Sequence, residues 1–169
     1  MTSADIVVLT GAPGVGKSTI ARQLAGLRQR CVHVKPDDLQ RMIISGGLWP
    51  SAATKESDRQ LQLRTRNAAI LAATFADAGF AVVIDEVLTT ALQVQTLTDY
   101  LCRRAMVIVG LAADVETIRR RDASRQKHTA ALYEGIEPAI RVVVPGPWVD
   151  TAPLSVPQTV SAVRALIAW

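Results

Sequence analysis

Gly11-Ala12-Pro13-Gly14-Val15-Gly16-Lys17-Ser18, followed by Thr19, has the spacing G-x-x-x-x-G-K-[ST] of a Walker A phosphate-binding loop. Each residue type has a physical reason. Glycines let backbone N–H groups curl around phosphate oxygens, and the helix that follows aims the positive end of its dipole at them. Lys17 is expected to reach the β- and γ-phosphates and the Ser18 hydroxyl to ligate Mg²⁺, so the expected cofactors are ATP and Mg²⁺. The cofactor-binding set is Gly11, Ala12, Pro13, Gly14, Val15, Gly16, Lys17, Ser18 and Thr19.

Phosphoryl transfer also needs alignment, charge neutralisation and a group to take the acceptor's proton. Asp37 is the expected base, with Asp38 as its rival, because only one of two neighbours can point into a cleft; either can instead cap a helix. Asp85 follows the apolar run Ala81-Val82-Val83-Ile84, the arrangement of a carboxylate that holds Mg²⁺. Glu86 beside it is an alternative water-activating group of an ATPase. Arg121 and Arg125 are four apart on a charged stretch and would share a helix face, able to stabilise charge on the transferring group. Arg41, Arg59, Arg64 and Arg66 are acceptor-side candidates. Trp49, beside a proline, is a candidate to stack on the acceptor, with a packed loop anchor as the plain alternative. Asp38, Arg41 and Trp49 complete the expected substrate-binding set. His33 and His128 have no Cys or His at ligand spacing, and neither is read as a metal ligand.

These residues need a scaffold, and strand alternates with helix along the whole chain. Asp5–Thr10 reads as a first strand leading into the loop, with Ile20 and Leu24 at helical spacing after it. Cys31–Val34 reads as a second strand, followed by a helix through Leu39, Met42 and Ile43 that Gly46-Gly47 ends. A long helix is expected from about Thr54 to Ala78 with Leu61, Leu63, Ala68, Ile70, Leu71 and Phe75 as its apolar stripe. Phe80–Ile84 and Ala105–Leu111 are continuous apolar runs, as in parallel strands buried on both faces. A helix at Ala91–Cys102, a charged helix at Val115–Gln126, a strand at Trp148–Thr151 and a closing helix at Val156–Ala168 complete the series; the segment before Trp148 has no assigned structure. Five such strands make an open α/β sheet with right-handed crossovers, and ligands bind at the carboxyl ends of its strands. The loop, Asp37, Asp85 and Asp150 all lie at such ends, so one pocket can hold them.

The chain has 169 residues and suits one domain, 1–169, with enough length to bury a core unaided. Cys31 and Cys102 make no disulfide framework and are expected as small buried hydrophobes. No charged-then-apolar leader and no uninterrupted apolar stretch of spanning length occurs, so a cytoplasmic protein with no membrane partner is expected. The net charge is +4, with Arg119, Arg120, Arg121, Arg125 and Lys127 close together. Aromatic content is only 4%, without aromatic-basic interleaving, so polyphosphate rather than nucleic acid is the expected anion.

Taken together, GAPGVGKST, the V-x-P-D-D-L segment, VVIDEVL, the R-x-x-x-R of the charged helix and WVDTAPLSVPQTV resemble the small P-loop kinases of the chloramphenicol phosphotransferase-like group, which is similar to gluconate-kinase-like and zeta-toxin-like proteins. The resemblance spans nearly the whole chain. It implies a three-layer P-loop NTPase fold with a five-stranded parallel sheet of order 2-3-1-4-5 and a helical lid. It also implies ATP-dependent transfer of the γ-phosphoryl group to a hydroxyl of a small molecule, such as an antibiotic or a sugar-like compound. By the same resemblance Asp37 matches the catalytic base, Asp85 and Glu86 the strand-end acidic pair, Arg121 and Arg125 the lid arginines, and Tyr133-Glu134-Gly135 a further family tract. Residues 44–60 carry no match. A nucleoside or nucleotide kinase and a nucleotide-gated ATPase switch are the alternative functions.

Overall fold

The computed structural model describes residues 5–123 and 135–169. Five parallel strands, β1 (Ile6–Thr10), β2 (Cys31–Val34), β3 (Ala81–Asp85), β4 (Met106–Ala112) and β5 (Trp148–Asp150), form one sheet of order β2-β3-β1-β4-β5. This is the expected order. The helices among the described residues are α1 (Lys17–Gly26), α2 (Pro36–Arg41), α3 (Lys55–Asp77), α4 (Ala91–Leu101), α5 (Val115–Ala123), α6 (Glu137–Val143) and α7 (Val156–Ile167).

Strand alternation divides the core into two layers. Val7, Leu9 and Val83 face one way and pack with Ile20 and Leu24 of α1 and Val160 and Val163 of α7. Ile6, Val8, Val82 and Ile84 face the other way and pack with Ala68, Ala69 and Ala72 of α3, Leu97 and Leu101 of α4, and Ile140 of α6. Every residue of β1 is buried, as the unbroken apolar run requires of a central parallel strand. Because all five strands run in parallel, their carboxyl ends lie along one edge of the sheet. Register places Asp85 beside Leu9, one residue short of the strand end that leads into the phosphate loop.

The long helix keeps only part of its expected face: Leu61 and Ala68 are buried and Phe75 packs partly buried against the core. Leu63, Ile70 and Leu71 are 37–43% exposed. The buried face is instead Ser57, Gln60, Leu61, Arg64, Thr65, Ala68, Ala69 and Ala72, which keeps the three-four spacing of an inward stripe but is polar over its first half. The polar members are buried because each has a partner. Ser57 completes a capping box with Thr54, Gln60 pins a loop, and Arg64 pairs with acids. The end near Ala68 packs small side chains directly on the sheet.

Four further expectations are corrected. Neither Asp37 nor Asp38 caps α2: the capping position is Lys35, without a side-chain bond, and Pro36 occupies the first turn, where its missing N–H costs nothing. That helix ends at Arg41, before Met42 and Ile43. Cys102 is exposed at the end of α4 and Cys31 is half-buried at the sheet's edge strand, so neither is a fully buried core residue. The stretch without an assigned structure contains α6, whose Trp148 contact shows why it forms: the indole Nε1 donates to the Val144 carbonyl at 3.0 Å, and the Arg141 guanidinium lies 4.1 Å from the ring centroid. No helix among the described residues is long and apolar enough to cross a membrane.

Candidate active site

The phosphate loop joins β1 to α1, and its glycines carry the backbone that other residues resist. Gly11, Gly14 and Gly16 have φ of 143°, 95° and 102°. At Gly11 the requirement is also spatial: a Cβ there would lie 2.2 Å from the carbonyl oxygen of Leu111 on the neighbouring strand β4. Ala12 and Val15 are buried and anchor the loop to the core, while Ser18 and Thr19 at the start of α1 are exposed. The Lys17 ammonium lies over the loop and donates to the carbonyls of Gly11 at 2.9 Å and Ala12 at 3.1 Å. The loop thus presents glycine backbone, a lysine and an exposed hydroxyl at one helix N-terminus, the arrangement that binds polyphosphate.

Thr10, the last residue of β1, latches the next strand's loop in place: its hydroxyl accepts from the Leu88 N–H at 3.0 Å, with both residues fully buried. Asp85 and Glu86 leave β3 toward different partners. Asp85, level with Leu9 and hence on the face of α1, bonds through Oδ2 to His33 Nε2 at 3.0 Å. The imidazole N–H donates to the carboxylate and fixes its orientation. His33 is therefore not isolated, and sequence reading missed it: the pairing follows from the β2–β3 register, His33 beside Val83, which sequence does not carry.

Glu86 turns toward α3. Only 2% exposed, it accepts from Arg64 Nη2 at 2.7 Å and from the Val87 N–H at 3.0 Å. Burial pushes its carboxyl up to about 7, against the opposing pull of the Arg64 guanidinium. Enclosed in this way, Glu86 is not placed to activate a water beside the phosphate loop. Arg64 Nη1 extends to Asp37 Oδ1 at 3.4 Å. Of the acceptor-side arginines, Arg64 is the one brought into the site. Arg59 is on the surface, 3.8 Å from Glu56, and Arg66 is exposed.

The two adjacent acids of α2 are likewise separated. Asp37 meets Arg64, whereas Asp38 accepts from Arg41 at 2.5 Å and lies 3.8 Å from Lys35. Arg41 also lies 5.6 Å from the ring centroid of Trp49. Asp38, Arg41 and Trp49 thus form one exposed cluster apart from the Asp37–Arg64 contact. The loop between them and α3 is pinned from below by Gln60, whose Oε1 accepts from the Leu48 N–H at 2.7 Å and from Gln40 Nε2 at 3.0 Å. Its own Nε2 donates to the Gly46 carbonyl at 2.8 Å. Gln40 and Gln60 are both buried, and neither was legible as a site-shaping residue.

Arg121 on α5 binds the flank of the phosphate loop. It donates to Thr151 Oγ1 at 2.9 Å, to the Thr151 carbonyl at 2.7 Å and to the Val15 carbonyl at 3.3 Å. These bonds tie the loop to the β5–α7 junction. Arg125, Lys127, Tyr133 and Glu134 lie outside the described residues. Asp150 is exposed and accepts from the Ala152 N–H at 2.9 Å. With Asp114, Glu137, Arg141 and Trp148 it lines a polar cavity of about 420 Å³ at the β4–β5 end of the same edge.

The donor set at the loop fits magnesium in type: a serine hydroxyl on α1 and one carboxylate, Asp85, on the same face, both hard oxygen ligands of the number Mg²⁺ uses alongside phosphate and water. Among the described residues no cluster of three or more His, Cys, Asp or Glu forms a self-sufficient metal cage.

A family model described as an AAA domain matches residues 6–140. No curated protein sequence matches the chain at a significant level. Solved structures are similar over nearly the whole length. The APS kinase of Mycobacterium tuberculosis in complex with AMPPNP and APS has a TM-score of 0.73 at 18% identity, covering 100% of both chains. A sugar kinase from Janibacter has 0.70 at 20% identity, covering 96% of this chain and 95% of its own. The tunicamycin resistance protein of Deinococcus radiodurans has 0.68 at 17% identity, covering 98% and 96%. At these identities the likeness concerns the fold.

Proposed function

Because this chain belongs to the AAA domain family, within which its sheet order and phosphate loop are kinase-like, we propose that it is an ATP-dependent small-molecule kinase. In this reading it is a single-domain enzyme that moves the γ-phosphoryl group of ATP to a hydroxyl. The observation that carries the proposal is the separation of two acidic functions on adjacent strand ends: Asp85 on the phosphate-loop side, and the exposed Asp37 held by Arg64 across β3. A protein that only hydrolyses ATP needs no second, exposed carboxylate aligned by a buried arginine.

In the proposed mechanism the backbone N–H groups of Gly14 to Ser18 and the Lys17 ammonium bind the β- and γ-phosphates. Ser18 and Asp85 would hold Mg²⁺, which supplies charge neutralisation between the phosphates, and His33 keeps the Asp85 carboxylate in place. Asp37 accepts the proton from the acceptor hydroxyl as that oxygen approaches the γ-phosphorus in line. Arg121, from the flank of the loop, adds positive charge near the nucleotide; Arg125 is the second lid candidate.

For the acceptor, the resemblance to chloramphenicol phosphotransferase-like kinases and the neighbours named for a sugar and for tunicamycin resistance support a polyhydroxyl compound, either a sugar or an antibiotic. The pinned loop at Gly46–Leu48 and the cluster of Asp38, Arg41 and Trp49 would shape that side. The test is a mass-spectrometric screen of sugars, shikimate, nucleosides and hydroxyl-bearing antibiotics for a gain of one phosphate in the presence of Mg²⁺ and ATP. Phosphate gain on an alcohol supports the proposal, and ATP loss with no modified compound in any class opposes it.

A further inference from the structure

Asp37 is weakly restrained for a group assigned to proton transfer. Its side chain is 54% exposed, α2 has only six residues, and no side-chain cap braces that helix. A carboxylate that must meet a hydroxyl needs a fixed rotamer, because small misplacements cost rate steeply. Within the described site the bond that restrains it comes from Arg64, and Arg64 is itself held from below by Glu86.

The geometry is that of a relay. Arg64 is 5% exposed and Glu86 2% exposed, and they meet at 2.7 Å through Nη2. The other terminal nitrogen, Nη1, reaches outward to Asp37. Arg–carboxylate pairs are frequently bidentate, yet here Glu86 Oε2 and Arg64 Nε are buried without partners. The guanidinium is turned so that one nitrogen serves the exposed acid, at the expense of complete satisfaction of the buried one.

We infer that Glu86 is a positioning residue for phosphoryl transfer, aiming the Arg64 guanidinium so that it fixes the carboxylate of Asp37. The inference rests on the reading of Asp37 as the base. Glu86 touches no substrate in this role and acts only through Arg64. The charged groups facing it are Arg64 from α3 and, beyond that, Asp37 from α2; the Asp85–His33 pair lies next to it along β3 and β2.

The test uses two readouts on the full chain. In ¹⁵N-detected spectra of the arginine side chains at pH 8, the Arg64 guanidinium should give two resolved Nη resonances that coalesce in Glu86→Gln. Turnover of Mg-ATP with water as the acceptor should fall about tenfold in kcat in Glu86→Gln, short of the hundredfold that a 1 Å misplacement brings, with the KM for ATP within twofold. In an Arg64→Gln background, where Glu86 has no guanidinium to aim, Glu86→Gln should cause no further loss in kcat. Unchanged Arg64 resonances in Glu86→Gln, or an equal kcat loss with and without Arg64, would overturn the relay. Unchanged turnover in Asp37→Asn, with coalescing Arg64 resonances, would instead reject the base assignment and with it the catalytic sense of the relay.

Discussion

Asp85 and Glu86 are neighbours in the chain and part company in the fold: one carboxylate bonds His33 at 3.0 Å, the other Arg64 at 2.7 Å. A strand presents successive side chains to opposite faces, so an acidic pair at a strand's end can serve two sites at once. Here β3 lies between the phosphate-loop strand β1 and the strand β2 that leads to Asp37. Under the proposed function the pair divides between the donor half and the acceptor half of the site.

The first prediction concerns His33. If it orients a magnesium-binding carboxylate, His33→Ala should raise the Mg²⁺ concentration for half-maximal ATP turnover by about tenfold, the lower end for loss of a group that orients a metal ligand. Asp85→Asn should raise it further. Mg²⁺ titrations of ATP turnover in both variants make the comparison, and an unchanged half-saturation in Asp85→Asn would remove that residue from the metal's surroundings.

A second prediction follows from the crowding at Gly11. Alanine there must hold φ near 143° and place a Cβ 2.2 Å from the Leu111 carbonyl oxygen, so β1 and β4 must separate or the loop must shift. Gly11→Ala should lower stability by roughly 2 kcal/mol, the scale of combined backbone strain and overpacking, and abolish measurable ATP binding. Thermal unfolding and calorimetric titration with ATP check both parts. Gly16→Ala, with no atom within 4 Å of the added Cβ, tests the backbone requirement alone.

The raised carboxyl of Glu86 makes stability depend on pH. Unfolded, it titrates near 4.5; folded, it keeps its proton to about 7. Between those values the folded state binds more protons than the unfolded state, so this group's contribution falls as pH rises through the window and is level above it. The amount is on the order of 3 kcal/mol. Groups common to both proteins cancel in the difference between wild type and Glu86→Gln. Urea unfolding at pH 5 and pH 8 should show that difference moving in favour of the variant at pH 8. A difference independent of pH would mean that Glu86 is ionised throughout.

Gln60 supplies a prediction for the acceptor side. It holds both the Gly46 carbonyl and the Leu48 N–H, so Gln60→Ala frees the loop that carries the unmatched segment and leaves Gln40 Nε2 without one of its two acceptors. The KM for an acceptor found by screening should rise about tenfold, while the KM for ATP stays within twofold. Steady-state kinetics varying each substrate in turn separates the two effects.

Much of the architecture was legible because it rests on local signals. The β-branched runs, the glycine spacing of the phosphate loop and the helical stretch that starts at about Thr54 each mark structure by their own chemistry, and the sheet order follows the family resemblance. The site was legible only where a motif names its residues. Three partnerships escaped: His33 with Asp85, Arg64 with Glu86, and Gln60 with the loop at Gly46–Leu48. Each joins residues brought together by register or by helix packing, which no spacing along the chain encodes. The buried polar face of α3 escaped for the opposite reason, since hydrophobic periodicity points away from a stripe whose members are buried by pairing.

The central claim is that Asp37 takes the proton of an acceptor hydroxyl while the phosphate loop holds ATP. Phosphoryl transfer from [γ-³²P]ATP to the acceptor identified by screening, measured in the wild type and in Asp37→Asn alongside ATP binding by calorimetry, tests it most directly. The expected result is a loss of at least about a hundredfold in kcat, of the size attributed to a positioned general base, with the affinity for ATP within twofold. Transfer retained in Asp37→Asn, or ATP turnover indifferent to every acceptor, would contradict the account.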